Sequence, residues 1–340
     1  MKKNNNMKKT NIFSKFLAQR ETSVFLIILV SVIVVQLIQP KFLNISNLKS
    51  IAISVSTDGL LAIALCLALI LGGIELSVGG VAAMTCVLTG YLCLSGINIW
   101  VSSIIALACG VLVGLFNGLM ISKVGLPPFI VTLGMMNLSR GIAYILTKGS
   151  PLSLSGYLPE SFRFLATGRV FGVPMIFIIF VIVAFIAHLF LTKSNVCRNI
   201  FYVGSNEEAA KHSAINVDRV KIGVYITIAI LSTLSGILSL GRFNVATPEL
   251  SVGAETTAIS AAVIGGTSFT GGVGSILGTV LGIILLKVVN SSLVMLDVSV
   301  YWQNFVQGAI LILAVTMDYV THRDTGKQGF LKSLLGSKKQ

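Results

Sequence analysis

Stretches of about twenty predominantly apolar residues recur along almost the whole chain, and nothing else in the sequence limits the fold as severely. A helix of that length crosses a hydrocarbon core of roughly 30 Å, and in lipid each backbone N–H and C=O must be satisfied within the chain. The candidate spans cover residues 24–38, 51–71, 78–95, 99–120, 128–146, 173–192, 220–240, 255–269, 274–291 and 301–317. Charged residues make up only 11% of the 340, against about 25% in ordinary soluble domains, and no large soluble domain fits between the spans. The expected fold is all-α: a polytopic transmembrane helical bundle of about ten spans. It divides into a basic N-terminal segment (1–21), a membrane domain (22–318) with an interior loop at 193–219, and a basic tail (319–340).

The basic start followed by an apolar run superficially resembles a secretory signal. No small-residue cleavage site follows, only Gln39-Pro40-Lys41-Phe42, so the run reads as a retained first span. The net charge of +13 would suggest nucleic acid in a soluble protein. Here basic residues at span ends are topology signals, and no nucleic-acid partner is expected. The eighth span is the weak one, because residues 255–262 mix Thr, Ser and Ala before Gly265-Gly266. With it, both termini fall on the cytoplasmic side together with most of the Lys and Arg residues; without it, the basic tail would lie outside, against the positive-inside tendency.

No catalytic constellation is evident. GGTSFTGGVGS lacks the Lys-Ser/Thr ending of a phosphate-binding loop, so the chain has no nucleotide cofactor of its own. His188, His212 and His322 are scattered, and the five cysteines show no metal-ligand spacing.

Two glycine series recur every fourth residue, Gly110, Gly114 and Gly118 in span four and Gly274, Gly278 and Gly282 around span nine. Small residues at this spacing let helices approach closely. Spans four and nine are five apart and so run oppositely, as in an inverted repeat of spans two to five and seven to ten.

Charges within spans are costly and mark functional candidates. Asp58 and Arg140 each lie six or seven residues from an outer span end, about 10 Å deep at 1.5 Å per residue. They are expected either to pair or to line a polar path. Lys287, near the outer end of span nine, is explained by snorkelling. Polar side chains such as Asn117 and Gln303 offer neutral donors and acceptors to hydroxyl groups, or equally to neighbouring helices.

The interior loop contains SNEEAAKHSAI, in which Ser205 or Asn206 is placed to cap a short helix with Glu207 and Glu208 in its first turn, followed by Ala209 and Ala210. Such a helix is more than a connector needs and suits docking to a cytoplasmic partner.

Several ordered motifs now carry a resemblance: GGIELSVGGVAAM, GLFNGLMISKVGLPPFIVTLGMMNLSRGIAYILTKG, VGSNEEAAKHSAI, AAVIGGTSFTGGVGSILGTVLG and VSVYWQNFVQGAILILAV. Together, over residues 40–318, the chain resembles the membrane permease subunit of bacterial ABC importers for ribose, xylose, arabinose and related sugars. The resemblance implies an inner-membrane complex of two permease subunits, alike or different, over two ATP-binding subunits, which use ATP and Mg²⁺, with an extracytoplasmic sugar-binding protein delivering cargo. It assigns Gly204, Asn206, Glu207, Glu208, Ala209 and Ala210 to ATPase docking. Departures from the pattern are Glu75 for the usual Asp, Thr256-Thr257 after Glu255, and Gln307 for a basic residue.

GGIELSVGG, residues 72–80, is expected on the cytoplasmic side between spans two and three, with GGTSFTGG between spans eight and nine. Glu75 and Ser77 are placed to accept hydrogen bonds at the start of span three and to fix an inner gate. The competing class is an ion-coupled secondary transporter or channel, which would use a membrane carboxylate such as Asp58 and would need no docking helix.

Overall fold

The computed structural model describes residues 20–303 and 305–316; the remainder of the basic N-terminal segment and the 319–340 tail lie outside the described residues. The helices are α1 (Arg20–Ile38), α2 (Ile45–Ile70), α3 (Val78–Leu94), α4 (Ile99–Ser122), α5 (Pro128–Thr147), α6 (Glu160–Thr167), α7 (Met175–Lys193), α8 (Asn195–Ser205), α9 (Glu207–His212), α10 (Val217–Phe243), α11 (Ala254–Ile264), α12 (Ile276–Met295) and α13 (Val300–Thr316). Seven of them are long and apolar enough to cross a membrane, and α3, α11 and α13 are shorter apolar helices.

Local chemistry sets the helix starts. Asn44 Oδ1 accepts from the Ser46 N–H and Asn98 Oδ1 from the Trp100 N–H, satisfying donors that the first turn leaves free. Pro128 opens α5, where its missing N–H costs nothing. α2 is the axial element: every residue from Gly59 to Leu71 is buried, as befits a helix that is apolar all round. α1, α5 and α7 surround the core and leave Leu37, Ile145 and Phe185 on the outside, as lipid-facing helices do.

α10 lies antiparallel to α2. The Ser235 hydroxyl donates to the Thr57 carbonyl at 3.0 Å toward one end, while Gly73, just past α2, faces the Tyr225 hydroxyl toward the other. Around this pair the packing repeats: α10 packs on α3 and α4, and α2 packs on α11 and α12. Helix α3 also packs on α4, as α11 packs on α12. The inverted arrangement expected from the two glycine series is thus present in which helix touches which.

At one end of the bundle, Trp100 meets Phe162 of α6 edge to face at 5.5 Å. There β1 (Leu152–Ser153) pairs antiparallel with β4 (Val245–Ala246), beside the small hairpin of β2 (Arg169–Val170) and β3 (Val173–Pro174). The other end carries α8 and α9.

One expectation is corrected. The eighth span, expected over 255–269, is an 11-residue helix over Ala254–Ile264, about 16 Å long and too short to cross 30 Å. The chain completes the passage with residues 247–253, which run inward from β4 without forming a helix beyond turns. GGIELSVGG, expected on the cytoplasmic side, begins at the α8–α9 end, where Gly72 stands against Gly204. From Gly72 the chain re-enters the protein, and Gly73, Glu75 and Ser77 are buried.

Candidate functional site

Irregular backbone inside a membrane protein persists only where other groups satisfy it, and both breaks meet that condition. In the first, the Ile74 carbonyl accepts from the Thr132 hydroxyl of α5 at 3.2 Å, and Asn117 of α4 donates through Nδ2 to Ser77 Oγ at 3.3 Å. In the second, the Arg140 guanidinium donates to the carbonyls of Pro248 at 2.7 Å and Leu250 at 3.4 Å. Arg140 therefore holds the lead-in to α11 and does not pair with Asp58.

The two breaks converge. A carbon added at Gly79, the second residue of α3, would lie 2.6 Å from the Ser251 carbonyl oxygen and 3.0 Å from Glu255 Oε2. The starts of α3 and α11 thus meet inside the bundle, each helix running away from the meeting point. Gly80 is required on the neighbouring face, where a side chain would strike the Met136 carbonyl at 2.6 Å.

Glu75 is fully buried beside this junction. One carboxylate oxygen accepts from both the backbone N–H and the hydroxyl of Ser77 at 2.5 Å. That ties the carboxyl group to the start of α3. Its second oxygen, Asn117 Oδ1, the Tyr225 hydroxyl and Glu255 Oε2 are buried without a hydrogen-bond partner among the described residues. An unsatisfied buried polar atom costs about 1–3 kcal/mol. Four of them, three acceptor oxygens and one hydroxyl, stand near the two helix starts.

Of the candidate residues, Glu75, Asn117, Glu255 and Arg140 are brought together around the two breaks. Gln303 is not: it lies at the start of α13, its Nε2 donating to the Val298 carbonyl at 3.1 Å. Asp58 is also apart, in a salt bridge to Lys287 of α12. Lys287 was the overlooked partner, and snorkelling does not describe its state.

The glycine series are packing surfaces. Gly114 and Gly118 of α4 lie against the α10 backbone, where added carbons would meet Tyr225 O at 2.6 Å and Ile222 Cα at 2.8 Å, and Gly110 faces Thr233. Gly278 and Gly282 face Gly265 and Ala261 of the α11 region, while Gly274 packs on Ile70 and Thr267.

At the α8–α9 end, Asn206 caps α9 by accepting from the Ala209 N–H at 2.9 Å. Glu207 binds Lys221 of α10 at 2.7 Å and Lys211 at 3.3 Å, and the Lys221 hydrogen bond in particular holds its carboxyl below the usual range. Asn206, Glu208 and Ala209 are exposed, whereas Ala210 is buried. Gly204 faces the bundle as well: a side chain there would collide with the Ile70 carbonyl at the end of α2 and approach the Gly272 N–H to 2.9 Å. That N–H in turn donates to Ile70 O at 2.8 Å. Gly271 and Gly272 take left-handed conformations, with φ of 84° and 73°, to make this close approach. Gly72, Gly204, Gly271 and Gly272 form one joint between the α8–α9 hairpin, the first break and the turn before α12. The paired glycines at 72–73, 265–266 and 271–272 were its only trace in the sequence.

A multi-pass bundle in which two short helices begin face to face in the interior defines a membrane permease. The chain matches the family described as branched-chain amino acid transport system / permease component over residues 47–315, and it belongs to that family. It is similar to the ribose import permease protein RbsC of Escherichia coli (strain K12), 35% identical over 305 residues that cover 89% of this chain and 94% of that protein. Similarity extends to the D-allose transport system permease protein AlsC of the same strain, 34% identical over 82% of this chain and 84% of the relative. The galactose/methyl galactoside import permease protein MglC of Haemophilus influenzae is 34% identical, over 86% and 91%. No solved structure gives a significant match.

Proposed function

We propose that the chain is the translocation subunit of an ATP-driven importer of a monosaccharide or similar polyhydroxylated solute. The observation that carries this reading is the meeting of α3 and α11 beside Glu75, Glu255 and Asn117, whose unpartnered acceptor oxygens match the hydroxyl donors of a sugar ring. The names of the ribose, allose and galactose relatives support the same solute class.

In this reading residues 22–318 form the permease domain, the α8–α9 end and both basic terminal segments face the cytoplasm, and the α6 end receives an extracytoplasmic sugar-binding protein. A separate ATP-binding subunit docks on Asn206, Glu208 and Ala209, with Gly204, Glu207 and Ala210 holding the hairpin to the bundle. A second permease subunit completes the pathway. Catalysis of ATP hydrolysis belongs to the partner, with its Mg²⁺. Ion coupling through Asp58 is disfavoured because Lys287 already neutralises it.

The test is reconstitution of the chain with its ATP-binding subunit and binding protein in proteoliposomes, following uptake of labelled ribose, allose and galactose. ATP-dependent uptake of one sugar, lost together with ATPase co-purification in a Glu207→Lys, Glu208→Lys variant, is the expected result. Solute movement by the chain alone, without ATP, overturns it.

A further inference from the structure

A groove of about 510 Å³ opens between α7 and α10 at the α8–α9 end of the bundle. Its floor is Leu67 of the axial helix and its walls include Ile186, Phe190 and Val224. Apart from Cys197 and Thr227, its polar lining is at the mouth, formed by Asn199, Asn216 and Arg219. None of these belongs to the region around Glu75.

The charges around the mouth are unevenly matched. Asp218 is bound to Lys123 at 2.5 Å and Lys221 to Glu207 at 2.7 Å. Arg219, exposed on the next residue, makes no ion pair among the described residues. Asn216 uses its Oδ1 to cap α10, accepting from the Arg219 N–H at 3.0 Å, which leaves its NH₂ free to donate. The rim therefore offers a guanidinium and an amide donor side by side, suited to a phosphate. Above it rises an apolar cleft between α7, whose Phe185 and Ile186 are exposed, and one side of the largely buried α10.

The geometry points to a binding site for one anionic phospholipid, its phosphate at Arg219 and Asn216 and an acyl chain in the α7–α10 groove. The basic end of the bundle is the end that meets an anionic leaflet. A second copy of the chain would have to place a side-chain anion at Arg219 while filling a concave cleft of this depth, whereas a phospholipid carries both parts in one molecule. At Gly223, which lines the groove, an added carbon meets no atom within 4 Å, so a bulky residue there would occupy the cleft without disturbing the helix packing behind it.

Full-length protein reconstituted in vesicles of phosphatidylcholine and phosphatidylglycerol, then extracted in mild detergent, is examined by native mass spectrometry. Wild type is expected to retain one phosphatidylglycerol. Arg219→Ala should reduce retention about tenfold, the effect of losing one charge-assisted hydrogen bond, and Arg219→Lys should recover part of it. Gly223→Trp should abolish retention of both lipids, with an unchanged elution profile showing that the bundle is intact. Retention unaffected by Arg219→Ala and Gly223→Trp overturns the assignment. So does absence of bound phosphatidylglycerol in wild type, or disulfide crosslinking of two copies through a cysteine introduced at Gly223.

Discussion

Asp58 of α2 is salt-bridged to Lys287 of α12, 229 residues further along the chain, with side chains only 28% and 12% exposed. Removing one member of a buried pair strands the other charge, at a cost of about 3–5 kcal/mol when burial is complete and less here. Lys287→Met is therefore expected to lower the midpoint of thermal unfolding in detergent more than the double variant Asp58→Asn, Lys287→Met. Exchanging the charges, Asp58→Lys with Lys287→Asp, should recover most of what either reversal loses. Recovery through Arg140→Asp in place of Lys287→Asp is not expected, since Arg140 serves Pro248 and Leu250.

The Ser77 hydrogen bonds to Glu75 hold the start of α3, and carboxylate acceptors of this kind are worth about 1.5–3 kcal/mol. Glu75→Gln keeps an acceptor and should fold, while Glu75→Ala should lower the unfolding midpoint. In both, solute uptake per ATP hydrolysed should fall, which paired uptake and ATPase measurements in proteoliposomes will show.

Gly204 leaves no room for a side chain against Ile70. Gly204→Ala should destabilise the α8–α9 joint by about 1–3 kcal/mol, the usual cost of overpacking, and raise the protease sensitivity of residues 194–216. Gly134→Ala is the control: it lies in α5 with open space around an added carbon, and it should be neutral or stabilise by up to about 1 kcal/mol.

Acid should loosen the hairpin before the bundle. The folded-state pKa of Glu207 is lowered, first by its hydrogen bond from Lys221. Its stabilisation is therefore fully present above the ordinary carboxylate range and is lost as pH falls through the lowered value. Amide hydrogen exchange in α9, followed from neutral to acid pH, should accelerate in that window and show no such step between pH 6 and 8. Lys221→Ala should shift the onset toward higher pH.

What the sequence made legible follows from where physics is local. Ten apolar segments could be counted because crossing a bilayer fixes length and hydropathy together, and the Asn206 cap could be narrowed to two residues because capping acts within one turn. Depth was read less well: α2 starts at Ile45 and not at residue 51, so Asp58 lies 13 residues from that end against 7 for Arg140 from the end of α5. Direction around the helix axis was not readable, since an apolar helix lacks a polar face to orient it. Hence Lys287, and not Arg140, partners Asp58. How far the breaks at 72–80 and 247–253 enter the protein was hidden for a related reason. Glycine-rich sequence looks the same whether its backbone is satisfied by water or, as here, by Thr132 and Arg140.

Ile70 O, the last carbonyl of α2, receives the Gly272 N–H and borders Gly204. The hairpin thus abuts one atom to which the break after α2 and the turn before α12 are both fastened. A load applied at α9 reaches the ends of both halves of the repeat through this one atom, besides entering α10 through Glu207 and Lys221.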